Sequence, residues 1–302
     1  MPRRPHVLTY QGRVLPRPDE EVADQGLGFD LGTLNRRRML RLVGLGGAAL
    51  GLAACGAGAG ASATASTSAA AATSSGEIPD ETAGPYPGDG SNGSDVLQQS
   101  GIVRSDIRSS FGTASGTAEG VPMTLELTIT DLANGGKPFA DAAVYVWHCD
   151  REGRYSLYSD GVTDQNYLRG VQVADSSGVV RFTSVFPACY SGRWPHIHFE
   201  VYPDQASITD AGNAIATSQV ALPKATCDVV YAVSGYEASV GNLSDVTLAN
   251  DNVFGDDGGA SQLGAVTGSV GRGFTVSLTA PVDTRTTPTG GSAPGGQGAP
   301  PN

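Results

Sequence analysis

The sequence predicts an all-β fold, an antiparallel β-sandwich with long functional loops, and three observations carry that prediction. Apolar and polar residues alternate with a period of two in several stretches. Glycine- and asparagine-rich turn signals separate those stretches, and a helical period appears nowhere at length. Composition agrees: 42 of 302 residues are glycine and 16% are charged, which favours turns over long helices. The formal net charge of -11 excludes nucleic acid as a partner, because a phosphate backbone requires a basic surface.

Taken in order, residues 1–34 show no apolar period and form an extension whose role the sequence leaves open. Residues 35–55 read as a twin-arginine export signal. Arg36-Arg37-Arg38 precede an apolar run from Leu42 to Ala54 that is short for a bilayer span. The run closes on Leu52-Ala53-Ala54-Cys55, which is similar to a bacterial lipobox and makes Cys55 the expected lipid anchor. The expected location is therefore the outer face of the membrane, or outside the cell. Residues 56–78 are Ala, Ser, Thr and Gly for most of their length, too little apolar surface to offset ordering entropy, and predict a flexible tether. Residues 286–302 are rich in Pro, Gly, Ser and Thr and predict a disordered tail. One folded unit, 79–285, remains.

Within that unit Met123, Leu125, Leu127 and Ile129 alternate with Thr124, Glu126, Thr128 and Thr130, the pattern of a strand with one face on a core. Ala143 to His148, Gly178 to Ser184 and a strand from His196 follow, with turn signals at Asn134-Gly135-Gly136 and Asp175-Ser176-Ser177-Gly178. Phe274, Val276, Leu278 and Ala280 mark a closing strand, and Ala225 to Ser234 holds at most a short turn of helix. Three cysteines remain after Cys55. In an exported protein two of them can oxidise, and Cys189 with Cys227 is the expected pair, leaving Cys149 over.

Chemistry concentrates in one stretch. From His196 the residues alternate, so His196, His198, Glu200 and Tyr202 share one face of a strand while Ile197, Phe199 and Val201 take the other. Two imidazoles two residues apart on one face can reach one metal ion. A His-x-His pair alone also fits zinc or copper. Tyr190 lies six residues upstream, and Tyr155 follows the Trp147-His148-Cys149-Asp150 run. A phenolate is a hard anionic donor suited to trivalent iron, whose charge pulls the phenol well below its usual value of about 10. Two phenolates and two imidazoles leave a ferric centre with a net charge of +1, ready for a dianionic substrate. His148 continues the Val144 and Val146 face and reads as structural; Glu200 reads as a solvated or supporting carboxylate.

The runs Glu81-Thr82-Ala83-Gly84-Pro85-Tyr86, Val146-Trp147-His148-Cys149-Asp150 through Gly153-Arg154-Tyr155, Leu168-Arg169-Gly170-Val171-Gln172, and Tyr190-Ser191-Gly192-Arg193 to His196-Ile197-His198 resemble, in order and spacing, the intradiol ring-cleavage dioxygenases. The resemblance implies a non-haem Fe(III) held by Tyr155, Tyr190, His196 and His198. It implies insertion of O2 between the two hydroxylated carbons of a catechol to give a muconate-type diacid. It also makes Tyr155 the equatorial and Tyr190 the axial tyrosine, the latter leaving the iron when substrate chelates and helping to take up a catechol proton. Arg193 matches the family's active-site arginine, which stabilises negative charge developing on the substrate. Gln219 aligns more loosely with a glutamine supporting it. The partners implied are a catechol and O2, the membrane only through Cys55; a homo-oligomer is neither required nor excluded. Two other readings stay open: a non-catalytic prealbumin-like extracellular binding module, and a zinc or copper protein using the His pair alone.

Overall fold

A computed structural model describes Thr9–Tyr10, Arg13–Val14 and residues 76–288. The chain divides into two compact units, Met1–Ser66 and Thr67–Asn302. In the first, Thr9–Tyr10 pairs antiparallel with Arg13–Val14. The export signal and lipobox read at 35–55, the tether up to residue 75 and the tail beyond Pro288 lie outside the described residues.

The second unit holds two sheets. Its strands are β1 (Pro122–Asp131), β2 (Lys137–Pro138), β3 (Ala143–Trp147), β4 (Arg169–Val173), β5 (Val179–Val185), β6 (His196–Tyr202), β7 (Ala216–Ala221), β8 (Ala265–Ser269) and β9 (Gly273–Val282). The first sheet runs β8, β9, β1, with β1 also pairing β5 and, at its far end, β2. The second runs β4, β3, β6, β7 and is antiparallel throughout. The wholly antiparallel arrangement expected from the sequence needs correction in the first sheet: β9 lies parallel to β1, in register from Phe274 opposite Met123 to Val282 opposite Asp131. A strand's alternation specifies which face is buried and carries no information about the direction of its neighbour. The chain reaches β9 after the whole second sheet, so no hairpin constrains its sense.

The alternation read in β1 and β9 is present as buried and less buried positions. Leu125, Leu127 and Ile129 of β1 share one buried cluster with Val144 and Val146 of β3, Ile197, Phe199 and Val201 of β6, and Val276 of β9. Each such aliphatic side chain contributes about 1.5–3 kcal/mol when fully buried. β3 and β6 are buried at every position, because the opposite face of their sheet is covered too. There Tyr145, Trp147 and Tyr202 pack with Val96, Leu97, Ile102 and Tyr155 from the connecting segments. The site-bearing face of β6 is therefore an interior surface.

Two helices fill a stretch in which the sequence shows at most one turn: α1 (Lys224–Val230) and α2 (Glu237–Asp245). Both are short, each buries only two side chains, and α2 is built from Ser, Gly, Asn and Asp as much as from good helix formers. Tertiary packing holds them. The expected Cys189–Cys227 disulfide is also corrected: Cys149, Cys189 and Cys227 are all free and buried. Each thiol sits against a backbone carbonyl, Cys149 on Ala188, Cys189 on Arg193 and Cys227 on Leu222. Burial pushes Cys189 up to about 12 and raises Cys149 and Cys227 well above the usual thiol range, which keeps them as unreactive thiols.

Candidate metal centre

β6 places His196 and His198 side by side on the covered face, with their Nε2 atoms 3.1 Å apart. His196 donates from Nδ1 to the Trp194 carbonyl at 2.5 Å, which leaves its Nε2 as a bare lone pair. His198 is oriented differently. The indole of Trp147, its cross-strand partner, stacks on it at 4.9 Å and 6°, while its Nδ1 has no hydrogen-bond partner.

The loop from Phe186 to Pro195 brings Tyr190 in, its hydroxyl 3.2 Å from His196 Nε2. α2 fixes that loop one residue earlier: Ser239 Oγ accepts from the Cys189 N–H at 3.0 Å, and Asn242 Nδ2 donates to its carbonyl at 2.8 Å. Tyr155 arrives on the connection between β3 and β4, its ring 5.8 Å from that of Tyr190 and 6.3 Å from His198. That connection needs Gly153 at φ +88°, where a Cβ would stand 3.3 Å from Tyr190 Cβ. The Tyr155 hydroxyl is fully buried beside that of Tyr190 and makes no hydrogen bond of acceptable geometry. An orphan buried hydroxyl costs about 1–3 kcal/mol, so its place at the convergence of three other donor side chains is informative.

All four donors are held neutral. Burial raises Tyr155 well above the usual phenol range, with Tyr190 adding to it. Burial pushes Tyr190 up to about 12 against the pull of Arg193. His196 falls to about 3 through burial and then Arg193, and His198 falls well below its usual value through burial and then His196. Two phenols and two imidazoles in a dry pocket fit a hard, highly charged cation. Such a charge supplies what desolvation withholds and inverts the local acid–base preference. Among the described residues no group of three or more His, Cys, Asp or Glu is placed to hold a metal.

Arg193 lies beside the donors with only 13% of its side chain exposed. Its Nη2 donates to Gln219 Oε1 at 2.7 Å, and Gln219 Nε2 donates on to the Thr82 carbonyl at 2.9 Å. Sequence reading missed its other partner. Asp251, with no side-chain exposure, accepts from Arg193 Nε at 3.0 Å and from the Trp194 N–H at 2.6 Å through Oδ2, and from the N–H groups of Val253 and Phe254 through Oδ1. The signal was faint: an Asp in the Thr247-Leu248-Ala249-Asn250-Asp251-Asn252 run, composition typical of a turn.

Arg169 is a second supporting residue that the sequence leaves without a role. It is 1% exposed and donates to the carbonyls of Tyr86, Pro87 and Ser156, to Ser156 Oγ and to the Tyr145 hydroxyl. It thereby ties the 81–88 segment to the connection that carries Tyr155. The segment closes over the donors: Tyr86 stacks on Tyr155 at 5.0 Å, and Gly84, at φ +73°, lies so near His198 that a Cβ would meet Cε1 at 3.3 Å. His148 points away, bonded to the Cys149 carbonyl and to Ser184 Oγ. Glu200 is 3% exposed and not solvated as expected; it accepts from Tyr202 and is pushed up to about 8 by burial and then Asp89.

With this geometry in view, the chain can be compared with known proteins. A family model described as "Dioxygenase" matches residues 106–209, the stretch that includes all four donors and Arg193. Over that stretch the chain is similar to the intradiol ring-cleavage dioxygenases. It is 39% identical over 72 residues to the catechol 1,2-dioxygenase of Pseudomonas sp. (strain EST1001), 24% of this chain and 23% of that protein. It is 31% identical over 105 residues to the protocatechuate 3,4-dioxygenase beta chain of Burkholderia cepacia, 30% of this chain and 45% of that one. The matches thus span less than half of these curated relatives. In fold, the intradiol ring-cleavage dioxygenase from Tetranychus urticae superposes with a TM-score of 0.55 at 24% identity, over 72% of this chain and 97% of that one.

Proposed function

We propose that this chain is an Fe(III)-dependent dioxygenase that inserts O2 between the two hydroxylated carbons of a catechol to give a muconate-type diacid. Tyr155, Tyr190, His196 and His198 would hold the ion, on a β-sandwich scaffold exported through the twin-arginine route and tethered by Cys55. One observation carries the reading: two phenols and two imidazoles from three separate segments converge in a buried pocket, with the Tyr155 hydroxyl left without a partner. A zinc or copper protein using the His pair alone gives no reason for that hydroxyl, and neither does a non-catalytic binding module.

Bound there, a ferric ion would supply Lewis acidity toward the two oxygens of a catechol and an electron acceptor for its ring. The chain's own residues do the rest. Tyr190, 3.2 Å from His196 Nε2 and within the field of Arg193, would be ionised by the bound cation and could then take up a catechol proton. Arg193, held in orientation by Asp251 and Gln219, presents a fixed positive charge where negative charge develops on the ring. Tyr86 and Gly84 cover the donors and exclude water. The test is oxygen uptake by iron-loaded protein with a panel of catechols and mass analysis of the products. A gain of two oxygen atoms with ring opening between the hydroxylated carbons is expected; no uptake with any catechol at full iron occupancy overturns the reading.

A further inference from the structure

The two segments that frame the donors carry acids and no bases. From Glu77 to Val103 and from Val246 to Gly264 there is no Lys, Arg or His. The first segment reaches the site through Gly84 on His198 and Tyr86 on Tyr155; the second reaches it through Asp251 on Arg193 and through Phe254, whose ring lies 6.5 Å from that of His196. Glu81 of the first segment feels the charges of Asp256 and Asp257 of the second, and that of Arg193. Asp256 and Asp257 are exposed, in the turn that follows Phe254.

Positive charge near the donors is already committed. Arg193 is committed to the reacting part of the ring and is paired with Asp251, so it adds little net charge beyond it, and Arg169 is buried with its guanidinium spent on backbone carbonyls, Ser156 and Tyr145. Arg154 is tied to Asp150 and Glu152. What points to a ligand is the orphan Tyr155 hydroxyl in the pocket; the acids set the field around it.

Resting on the proposed ring-cleavage reading, we infer that the site selects uncharged or cationic catechols and rejects those bearing a carboxylate. A carboxylated ring would bring a further negative charge toward Glu81, Asp256 and Asp257 with no uncommitted cation to receive it. With Glu81 pushed up to about 7 by burial and then Asp256 and Asp257, and so only partly ionised near neutrality, a field of about two unit charges on the order of 10 Å away through a near-water dielectric amounts to a factor of about five in affinity.

The experiment is an anaerobic titration of iron-loaded protein with 4-methylcatechol, 3,4-dihydroxybenzoate and dopamine as neutral, anionic and cationic probes. Each dissociation constant is read from the visible spectrum at about 0.02 M and about 0.5 M salt. The anion is expected to bind about fivefold more weakly than the neutral probe at low salt and the cation at least as tightly. The spread should shrink several-fold at high salt and in an E81Q/D256N/D257N variant. Equal affinity of anion and neutral probe at low salt, or a spread untouched by the three substitutions, overturns the inference. If the triple variant does not fold, D256N/D257N alters only exposed positions and is expected to show the same trend. Oxygen uptake with 4-methylcatechol separates the two readings: its absence removes ring cleavage, while the order of dissociation constants still decides the charge preference.

Discussion

Asp251→Asn is the substitution that most directly tests how the arginine is held. Oδ2 accepts from Arg193 Nε and the Trp194 N–H, and Oδ1 from the N–H groups of Val253 and Phe254. Whichever way an asparagine amide is turned, its NH2 faces two N–H donors in a site with no side-chain exposure. Removing one partner of a buried ion pair costs about 3–5 kcal/mol. Gln219 still accepts from Arg193, which places the expected loss at the lower end, about 3 kcal/mol. Urea unfolding of metal-free protein reads it as a lower midpoint at unchanged slope. An Arg193→Gln partner closes the cycle: once the charge is gone the amide no longer opposes it, so the double variant is expected to recover about 2 kcal/mol of the summed single losses. Oxygen uptake by iron-loaded D251N is expected to fall about 10²-fold, the usual effect of losing one aligned transition-state donor. A loss below about 1 kcal/mol, or strict additivity with Arg193→Gln, refutes the reasoning that Asp251 acts through the guanidinium.

Tyr155→Phe removes a buried hydroxyl that has no partner, so the metal-free variant is expected to be as stable as the parent or about 1 kcal/mol more stable, while iron per chain falls; thermal melts and metal analysis of the same samples check both halves. Gly153→Ala puts a side chain at φ +88° and 3.3 Å from Tyr190 Cβ; a loss of about 1–2 kcal/mol is expected, with a displaced Tyr190 visible as a shift in the iron-loaded visible spectrum. His148 and His196, lowered to about 4 and about 3, and His198, lowered well below its usual value, stay neutral in the fold. The unfolded chain binds their protons first, so stability of the metal-free protein is expected to be lost as pH falls below about 6.5. Glu200, raised to about 8, has the opposite sign: its contribution is present below about 4.3 and is lost as pH rises through 8. Melts across pH 5–9 should therefore show a maximum near neutrality, absent if the imidazoles titrate normally.

What the sequence made legible is what local pattern can encode. Alternation in 123–129 and 196–202 fixes which side chains share a face, and β1 and β6 fall where that alternation runs. The donors follow, because His196 and His198 share a strand and Tyr190 lies on the turn entering it. The parallel pairing of β9 with β1 was not legible, since a strand's faces say nothing of its neighbour's direction. α1 and α2 were not legible either: at seven and nine residues they show too little periodicity to separate from turns. The thiols are a related case. Cysteine count and an export signal suggest a disulfide, yet Cys227 sits on the buried face of α1, an element that the pattern hardly announced.

The residues that orient the donors were harder to read than the donors for a physical reason. A ligand must be of one chemical type, so it is visible in a sequence; a support needs only to supply a hydrogen bond at the right place. Asp251 lies 58 positions from Arg193, and Arg169 reaches back 83 positions to Tyr86. Ser239 and Asn242 grip the peptide of Cys189 from α2. Each is an ordinary polar residue until the fold buries it, and burial gives it its energy, since an unmet partner in a dry interior costs far more than in water. Trp147 shows the same principle without a hydrogen bond. His198 lacks a partner at Nδ1, so a stacked indole does for its ring what the Trp194 carbonyl does for His196. The site is thus assembled by long-range contacts among aperiodic connections, over a pair of sheets whose apolar core does not depend on the metal.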